Sequence, residues 1–251
     1  MSDLFSLKNR IALVTGASRG LGRDMALCLA EAGATVLCAG RVAKDLETTV
    51  RLIKKKKGKA HAIILDVTNE QAVQKGVRAL IRKHRRIDIL VNNAGVAVHT
   101  PTEDITLEYW KSVVDINLNA VFLCSREAIR YMKKQGGGRI INMGSISAIV
   151  PRRHSIAYAA TKSAIEGLTH SLTLDGRDYG VVASYIHPGS TASGFNAARG
   201  GPGPGKTAAD YIMHQEDVAN VALLMASLPP EVNLFNATIL PNHMKSFIDR
   251  G

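Results

Sequence analysis

Thr15-Gly16-Ala17-Ser18-Arg19-Gly20-Leu21-Gly22 decides how this chain folds. The stretch lies between an apolar run, Ile11-Ala12-Leu13-Val14, and a helix-forming segment from Arg23 to Ala32. Strand, glycine turn and helix in that order make a phosphate-binding arrangement. Gly16 permits the tight turn. Gly20 and Gly22 have no side chain, so backbone and helix can close on a pyrophosphate. The helix N-terminus then offers free N–H groups and a positive dipole end. Glycines alone also mark ordinary turns. The strand before and the helix after give this triplet a nucleotide-binding reading.

Outward from this motif, apolar β-branched runs recur along the chain: Ile11–Val14, Thr35–Ala39, His61–Leu65, Ile87–Val91, Arg139–Met143, Val181–Ile186 and Ala237–Leu240. Amphipathic helical stretches separate them. Near-continuous apolar strands are those of a parallel sheet covered on both faces. The alternation predicts an α/β fold, a doubly wound parallel sheet of seven strands with helices on both faces. The chain has 251 residues, the size of one large domain, and no linker divides it. One segment breaks the pattern. Residues 197–207 read AARGGPGPGKT, rich in Gly and Pro. A flexible loop is expected over about 190–215, after the sixth strand, where it would border a ligand and close over it.

Composition narrows the function. Hydrophobic residues make up 46% of the chain, with no run near the ~20 residues of a membrane span. The first residues, Met1-Ser2-Asp3-Leu4-Phe5-Ser6-Leu7, do not read as a signal peptide. Cys28, Cys38 and Cys124 are odd in number and match no metal spacing. They are expected to be buried thiols in a reducing, cytoplasmic compartment. The net charge is +11. Part of it comes from Lys54-Lys55-Lys56-Lys57-Gly58-Lys59 and Arg82-Lys83-His84-Arg85-Arg86, where helices end and the dipole favours cations. No aromatic residues interleave with these runs to stack bases, so nucleic acid is not an expected partner.

Polar residues cluster just past the strand ends. Asp66 follows Ile63-Ile64-Leu65, Asn92-Asn93-Ala94-Gly95 follows Ile89-Leu90-Val91, and Ser145 follows Ile140-Ile141-Asn142-Met143-Gly144. Tyr158 and Lys162 come next, spaced i, i+4 on one helix face. A free phenol titrates near 10. A neighbouring ammonium favours the phenolate and makes the group a proton donor and acceptor near neutral pH. A serine hydroxyl close by can hold a carbonyl or alcohol oxygen.

This set resembles the short-chain dehydrogenase/reductase family over nearly the whole chain. The resemblance is carried by Thr15-Gly16-x-x-x-Gly20-x-Gly22, Asp66, Asn92-Asn93-Ala94-Gly95, Asn117, Ser145, Tyr158-x-x-x-Lys162 and Pro188-Gly189. It implies a Rossmann-like sheet, a nicotinamide cofactor and hydride transfer at a ketone or secondary alcohol. By position, Tyr158 would be the acid/base and Ser145 would bind the reacting oxygen. Lys162 would tune the tyrosine and hold the nicotinamide ribose, and Asn117 would hold a water linking Lys162 to solvent. The cofactor would lie against Gly16, Ser18, Arg19, Gly20, Leu21 and Gly22. Asp66 and the Val67 backbone would meet the adenine. Asn93, Ala94 and Gly95 would border the cofactor, and Pro188, Gly189, Thr191 and Ser193 would shape the nicotinamide pocket. A homotetramer or dimer is also implied.

The second strand ends Cys38-Ala39-Gly40-Arg41, without the carboxylate that selects NAD through the adenosine ribose. Arg41 and Arg19 are suited to grip a 2′-phosphate, which predicts NADP(H). An NAD-dependent alcohol dehydrogenase and a non-catalytic basic binding protein on the same fold are the alternatives. The substrate is less defined. Arg152, Arg153, Arg199 and Lys206 could attract an anionic carbonyl compound, although solvated loop charges explain them more simply. The chain also resembles 3-oxoacyl-carrier-protein reductases. Arg130 matches one of their carrier-binding arginines, and Leu174 stands where the second is expected. Gly176 is expected to interrupt the helix after Lys162, at a cost of about 1 kcal/mol.

Overall fold

The computed structural model describes residues 5–97, 99–191 and 212–242. Seven parallel strands form one sheet: β1 (Ile11–Thr15), β2 (Thr35–Gly40), β3 (Lys59–Ile64), β4 (Ile89–Asn92), β5 (Gly138–Met143), β6 (Val181–Pro188) and β7 (Asn236–Ile239). Their spatial order is β3-β2-β1-β4-β5-β6-β7, so the chain reverses direction across the sheet between β1 and β4. The helices are α1 (Gly20–Glu31), α2 (Ala43–Lys55), α3 (Glu70–His84), α4 (Leu107–Val114), α5 (Ala120–Gln135), α6 (Ile156–Gly176) and α7 (Gln215–Ser227). A π-helical turn, Asp115–Asn119, joins α4 to α5. This is the doubly wound, Rossmann-like sheet that the alternating runs predict.

The two faces bury separate apolar layers. Met25 and Leu29 of α1, Leu46 and Ile53 of α2 and Val218 and Ala222 of α7 pack on one face. Val73, Val77 and Leu80 of α3 and Cys124, Ala128 and Met132 of α5 pack on the other. α6 joins that second face through Ile165, against Val121 and Tyr185. Each residue of β1 and β4 is buried, as central strands require. β3 lies at the sheet edge and exposes Lys59 and His61, and the lysine charge helps to blunt an open edge.

Two buried asparagines of the central strands are paired. Asn92 Nδ2 donates to Ser125 Oγ at 2.9 Å and to Asn142 Oδ1 at 2.8 Å, and Asn142 Nδ2 donates to Thr169 Oγ1 at 3.0 Å. That chain ties α5, β4, β5 and α6 together. Arg139, nearly buried, donates through Nη2 to the carbonyls of Leu228, Pro229 and Val232 and pins the end of α7.

Several expectations need correction. α1 starts at Gly20 rather than Arg23, so the glycine loop runs directly into its first turn. β4 starts at Ile89 rather than Ile87, because Asp88 takes the Ile11 N–H on its carboxylate at 2.8 Å and pairs with Arg10 and Arg86. Gly176 ends α6 instead of interrupting it. A Cβ there would lie 2.9 Å from Val181 Cβ, so the glycine admits β6 close to the helix end. Cys38 and Cys124 are buried, but Cys28 is only half-buried. Desolvation holds all three thiols protonated, with Cys28 pushed up to about 11 and the other two to about 12. Most of the loop expected over 190–215, with Arg199 and Lys206, lies outside the described residues. Its two ends are held together: Thr191 bridges Met213, and the Met213 N–H donates to Ser190 O at 2.9 Å.

Candidate active site

The C-terminal ends of the central strands carry the polar residues of the motifs. After β1 the chain turns at Gly16, whose φ of +65° is open to glycine at little cost. The loop packs tightly. A Cβ on Gly22 would lie 2.3 Å from Gly16 O and 2.4 Å from Asn93 Nδ2. Asn93 Nδ2 itself donates to Thr15 O at 3.0 Å and Gly16 O at 3.3 Å. Thr15 Oγ1 accepts the N–H groups of Asn93 and Ala94, at 3.0 and 3.1 Å, and so clamps the Asn93-Ala94-Gly95 turn to β1. No side chain caps α1 at Arg19, whereas Asn69 caps α3 and Thr106 caps α4. The first N–H groups of α1 are left for an anion. These residues fit a dinucleotide pyrophosphate.

The loops after β1 and β2 are stitched together. Ala17 N–H donates to Ala39 O at 3.1 Å, and a Cβ on Gly40 would lie 2.9 Å from Ser18 Oγ. Arg19 and Arg41, both exposed, therefore leave neighbouring loops. No carboxylate stands at the end of β2. Asp66 is exposed beyond β3, and Oδ1 accepts from Thr68 N at 3.0 Å and Thr68 Oγ1 at 2.7 Å. Those bonds, with the Arg41 charge as a smaller contribution, hold its carboxyl below the ordinary value. Val67 beside it is buried.

The second half of the site comes from β5 and α6. Ser145 follows β5 in extended backbone, φ −167° and ψ 152°. Its Oγ accepts the Ser147 N–H at 3.1 Å, which leaves the hydroxyl hydrogen to be donated elsewhere. Tyr158 and Lys162 sit in the first turns of α6 and both are buried. Lys162 Nζ lies 5.8 Å from the Tyr158 ring centroid and donates to Met143 O, the last carbonyl of β5, at 2.5 Å. Burial lowers the Lys162 ammonium to about 8.

Asn117 occupies the π-helical turn, where the Ala120 N–H reaches back to Asp115 O. Its side chain is committed. Oδ1 accepts from Val96 N at 2.8 Å, and Nδ2 donates to Val96 O at 2.9 Å and Thr161 Oγ1 at 3.3 Å. Thr161 in turn donates to Tyr158 O at 2.8 Å. Asn117 thus braces both the Gly95 turn and α6.

Pro188 closes β6, and Gly189 N–H donates to Ile239 O at 2.8 Å. Thr191 is buried in its bridge to Met213. Ser193 lies outside the described residues. Arg152 is exposed and spans to Ser190 Oγ at 3.0 Å, at the mouth of this region. Arg130 is a surface residue 3.9 Å from Glu127, and Leu174 is exposed on α6. Sequence reasoning gave the side chains of Thr15, Thr161 and His187 no role. The signal for the first two was a hydroxyl in an apolar or helical run, which is common. His187 Nδ1 accepts the N–H of Ser145, 42 positions away and beyond the reach of any local pattern.

Among the described residues, no group of His, Cys, Asp and Glu could hold a metal ion, and no helix is long and apolar enough to cross a membrane. The profile of the family described as short chain dehydrogenase matches residues 10–201. Gluconate 5-dehydrogenase of Gluconobacter oxydans is 38% identical over 76% of this chain and 75% of its own length. A 3-oxoacyl-[acyl-carrier-protein] reductase of Synechocystis is 35% identical over 75% of this chain and 76% of its own. Among solved structures, a proposed NAD(P)-dependent gluconate 5-dehydrogenase from Beutenbergia cavernae, with NADP bound at low occupancy, matches with a TM-score of 0.87. It is 30% identical and covers 95% of this chain and 98% of that one.

Proposed function

The chain belongs to the short-chain dehydrogenase/reductase family of oxidoreductases, and from that premise we propose that it is an NADP(H)-dependent enzyme of ketones and secondary alcohols. The observation that carries the reading is the fully buried Lys162 ammonium beside the Tyr158 ring, one helical turn away. The nicotinamide, when bound, supplies or accepts the hydride. This chain's residues manage the proton and the oxygen. Tyr158 gives its phenolic proton to the forming alkoxide, and takes it back in the alcohol direction. Lys162 stabilises the phenolate that results and is held in place by the Met143 carbonyl. Ser145 donates its hydroxyl hydrogen to the substrate oxygen, since its own lone pair already accepts from Ser147.

Gly16, Ser18, Gly20, Leu21 and Gly22 would take the pyrophosphate. Asp66, Val67, Asn93, Ala94 and Gly95 would line the adenosine and ribose side, and Pro188, Gly189, Thr191 and Ser193 the nicotinamide. Arg19 and Arg41 favour the 2′-phosphate, on neighbouring loops with no carboxylate at the end of β2. The whole chain would act as a single domain and assemble as a homo-oligomer in the cytoplasm. Arg152 at the mouth supports a substrate with an anionic group, and one relative is named for gluconate, which carries a carboxylate. The test is kcat/KM for NADPH and NADH over a panel of ketones, keto acids and acyl thioesters. A clear NADPH preference with turnover of one class is expected. A preference for NADH overturns the cofactor assignment, and no turnover of any carbonyl overturns the enzymatic reading.

A further inference from the structure

The imidazole of His187, the penultimate residue of β6, is 2% exposed. Its Nδ1 accepts the Ser145 N–H at 2.9 Å. The main chain before Ser145 is tied to the same strand, since the Gly144 N–H donates to Ile186 O at 2.7 Å. The ring presses on Gly144 closely enough that a Cβ there would lie 2.2 Å from Nδ1. Tyr185 packs edge-on against it, with centroids 4.8 Å apart. A buried main-chain N–H can only donate, so Nδ1 carries a lone pair and Nε2 the hydrogen. Nε2 is buried with no partner among the described residues. A leucine would fill this space without that orphaned donor. What the imidazole adds is an acceptor for Ser145.

We propose that His187 is a positioning residue that fixes the main chain carrying the Ser145 hydroxyl, a role that rests on Ser145 holding the reacting oxygen. Protonation would place a donor on Nδ1 against the Ser145 N–H and break the contact. The charged groups facing the ring both come from α6. Glu166 favours the imidazolium and Lys162 disfavours it. From β7 the register neighbour is Thr238, which is uncharged, and the segment after β5 presents Gly144 and Ser145. Burial outweighs Glu166 and holds the imidazole below its ordinary 6.5. The contact is therefore intact at neutral pH and is lost only in acid.

The test uses the full chain and has two readouts. In isotope-labelled protein, a scalar coupling across the hydrogen bond should link the Ser145 amide nitrogen to His187 Nδ1, with the hydrogen on Nε2. A protonated Nδ1 at neutral pH overturns the proposal. In kinetics, His187→Leu should lower kcat for the preferred ketone about ten- to a hundredfold. The Kd for NADPH should not change. His187→Asn, whose Oδ1 takes the place of Nδ1, should recover most of that rate and lack the acid limb of the wild type. On a Ser145→Ala background, His187→Leu should cost nothing more, because the two act as one unit. Equal losses on both backgrounds, or an unimpaired His187→Leu, overturn the positioning role and leave the enzymatic reading intact. Should His187→Leu fail to fold, the coupling and the acid limb of His187→Asn decide. A wild type that reduces no carbonyl removes both the Ser145 reading and this role.

Discussion

Tyr158 differs from phenylalanine by one oxygen, and the proposed chemistry rests on it. Tyr158→Phe should cut kcat by about a hundred- to ten-thousandfold, the usual contribution of a general acid. The Kd for NADPH, read by cofactor fluorescence, should hold. A parallel loss of affinity would give the phenol a binding role instead. The pH profile belongs to Lys162. Burial disfavours the charged form and lowers its pKa to about 8, so the ammonium is complete well below pH 8 and is lost above it. Reduction should slow as pH rises through about 8, and a rate flat from pH 7 to 10 would deny the ammonium its part. Arg41→Ala should raise KM for NADPH about tenfold or more, the size of a lost charged hydrogen bond, with little effect on NADH. Equal effects would make Arg41 a solvated surface charge. At this scale the sequence was legible where chemistry repeats locally. The Tyr158-to-Lys162 spacing is one turn of helix, and Gly40-Arg41 is adjacent to its strand. The role of His187 was not, because its partner comes from another strand end.

At the scale of elements, alternation named the seven strands and lost only their edges. Ends are set by long-range bonds, such as Asp88 taking the Ile11 N–H, which no local run records. Gly176 misled for the same reason. Its cost as a helix breaker was read from propensity, while its place at the close approach of Val181 was invisible. The π-helical turn at Asp115–Asn119 also left no pattern in the sequence, yet it sets Asn117 between the Gly95 turn and α6. The glycine loop was readable because α1 needs it. Gly22→Ala would drive a Cβ to 2.3 Å from Gly16 O, against backbone that cannot yield easily. It should destabilise the chain by about 1–3 kcal/mol in urea unfolding and weaken cofactor binding together. A variant with wild-type Kd and midpoint would contradict this packing.

Across the whole molecule, the two ends of the sheet do different work. The carboxyl ends of the strands carry the candidate site. The basic runs Lys54–Lys59 and Arg82–Arg86 lie where α2 and α3 end, at the amino ends of β3 and β4. Much of the net charge is thus remote from the proposed chemistry, and composition alone could not have separated the two. Distant segments are joined by single residues. Arg139→Met should leave the carbonyls of Leu228, Pro229 and Val232 without their donor and lower stability by about 1–3 kcal/mol. An unchanged urea midpoint would mean that relief of the buried charge offsets the loss. The sheet order has a temporal side as well. Strands β1 to β4 lie side by side in the sheet, so a ribosome delivers the proposed pyrophosphate and adenosine side of the cradle, through Gly95, before it has translated Ser145, Tyr158 or Lys162. In the life of each molecule, grip precedes reactivity.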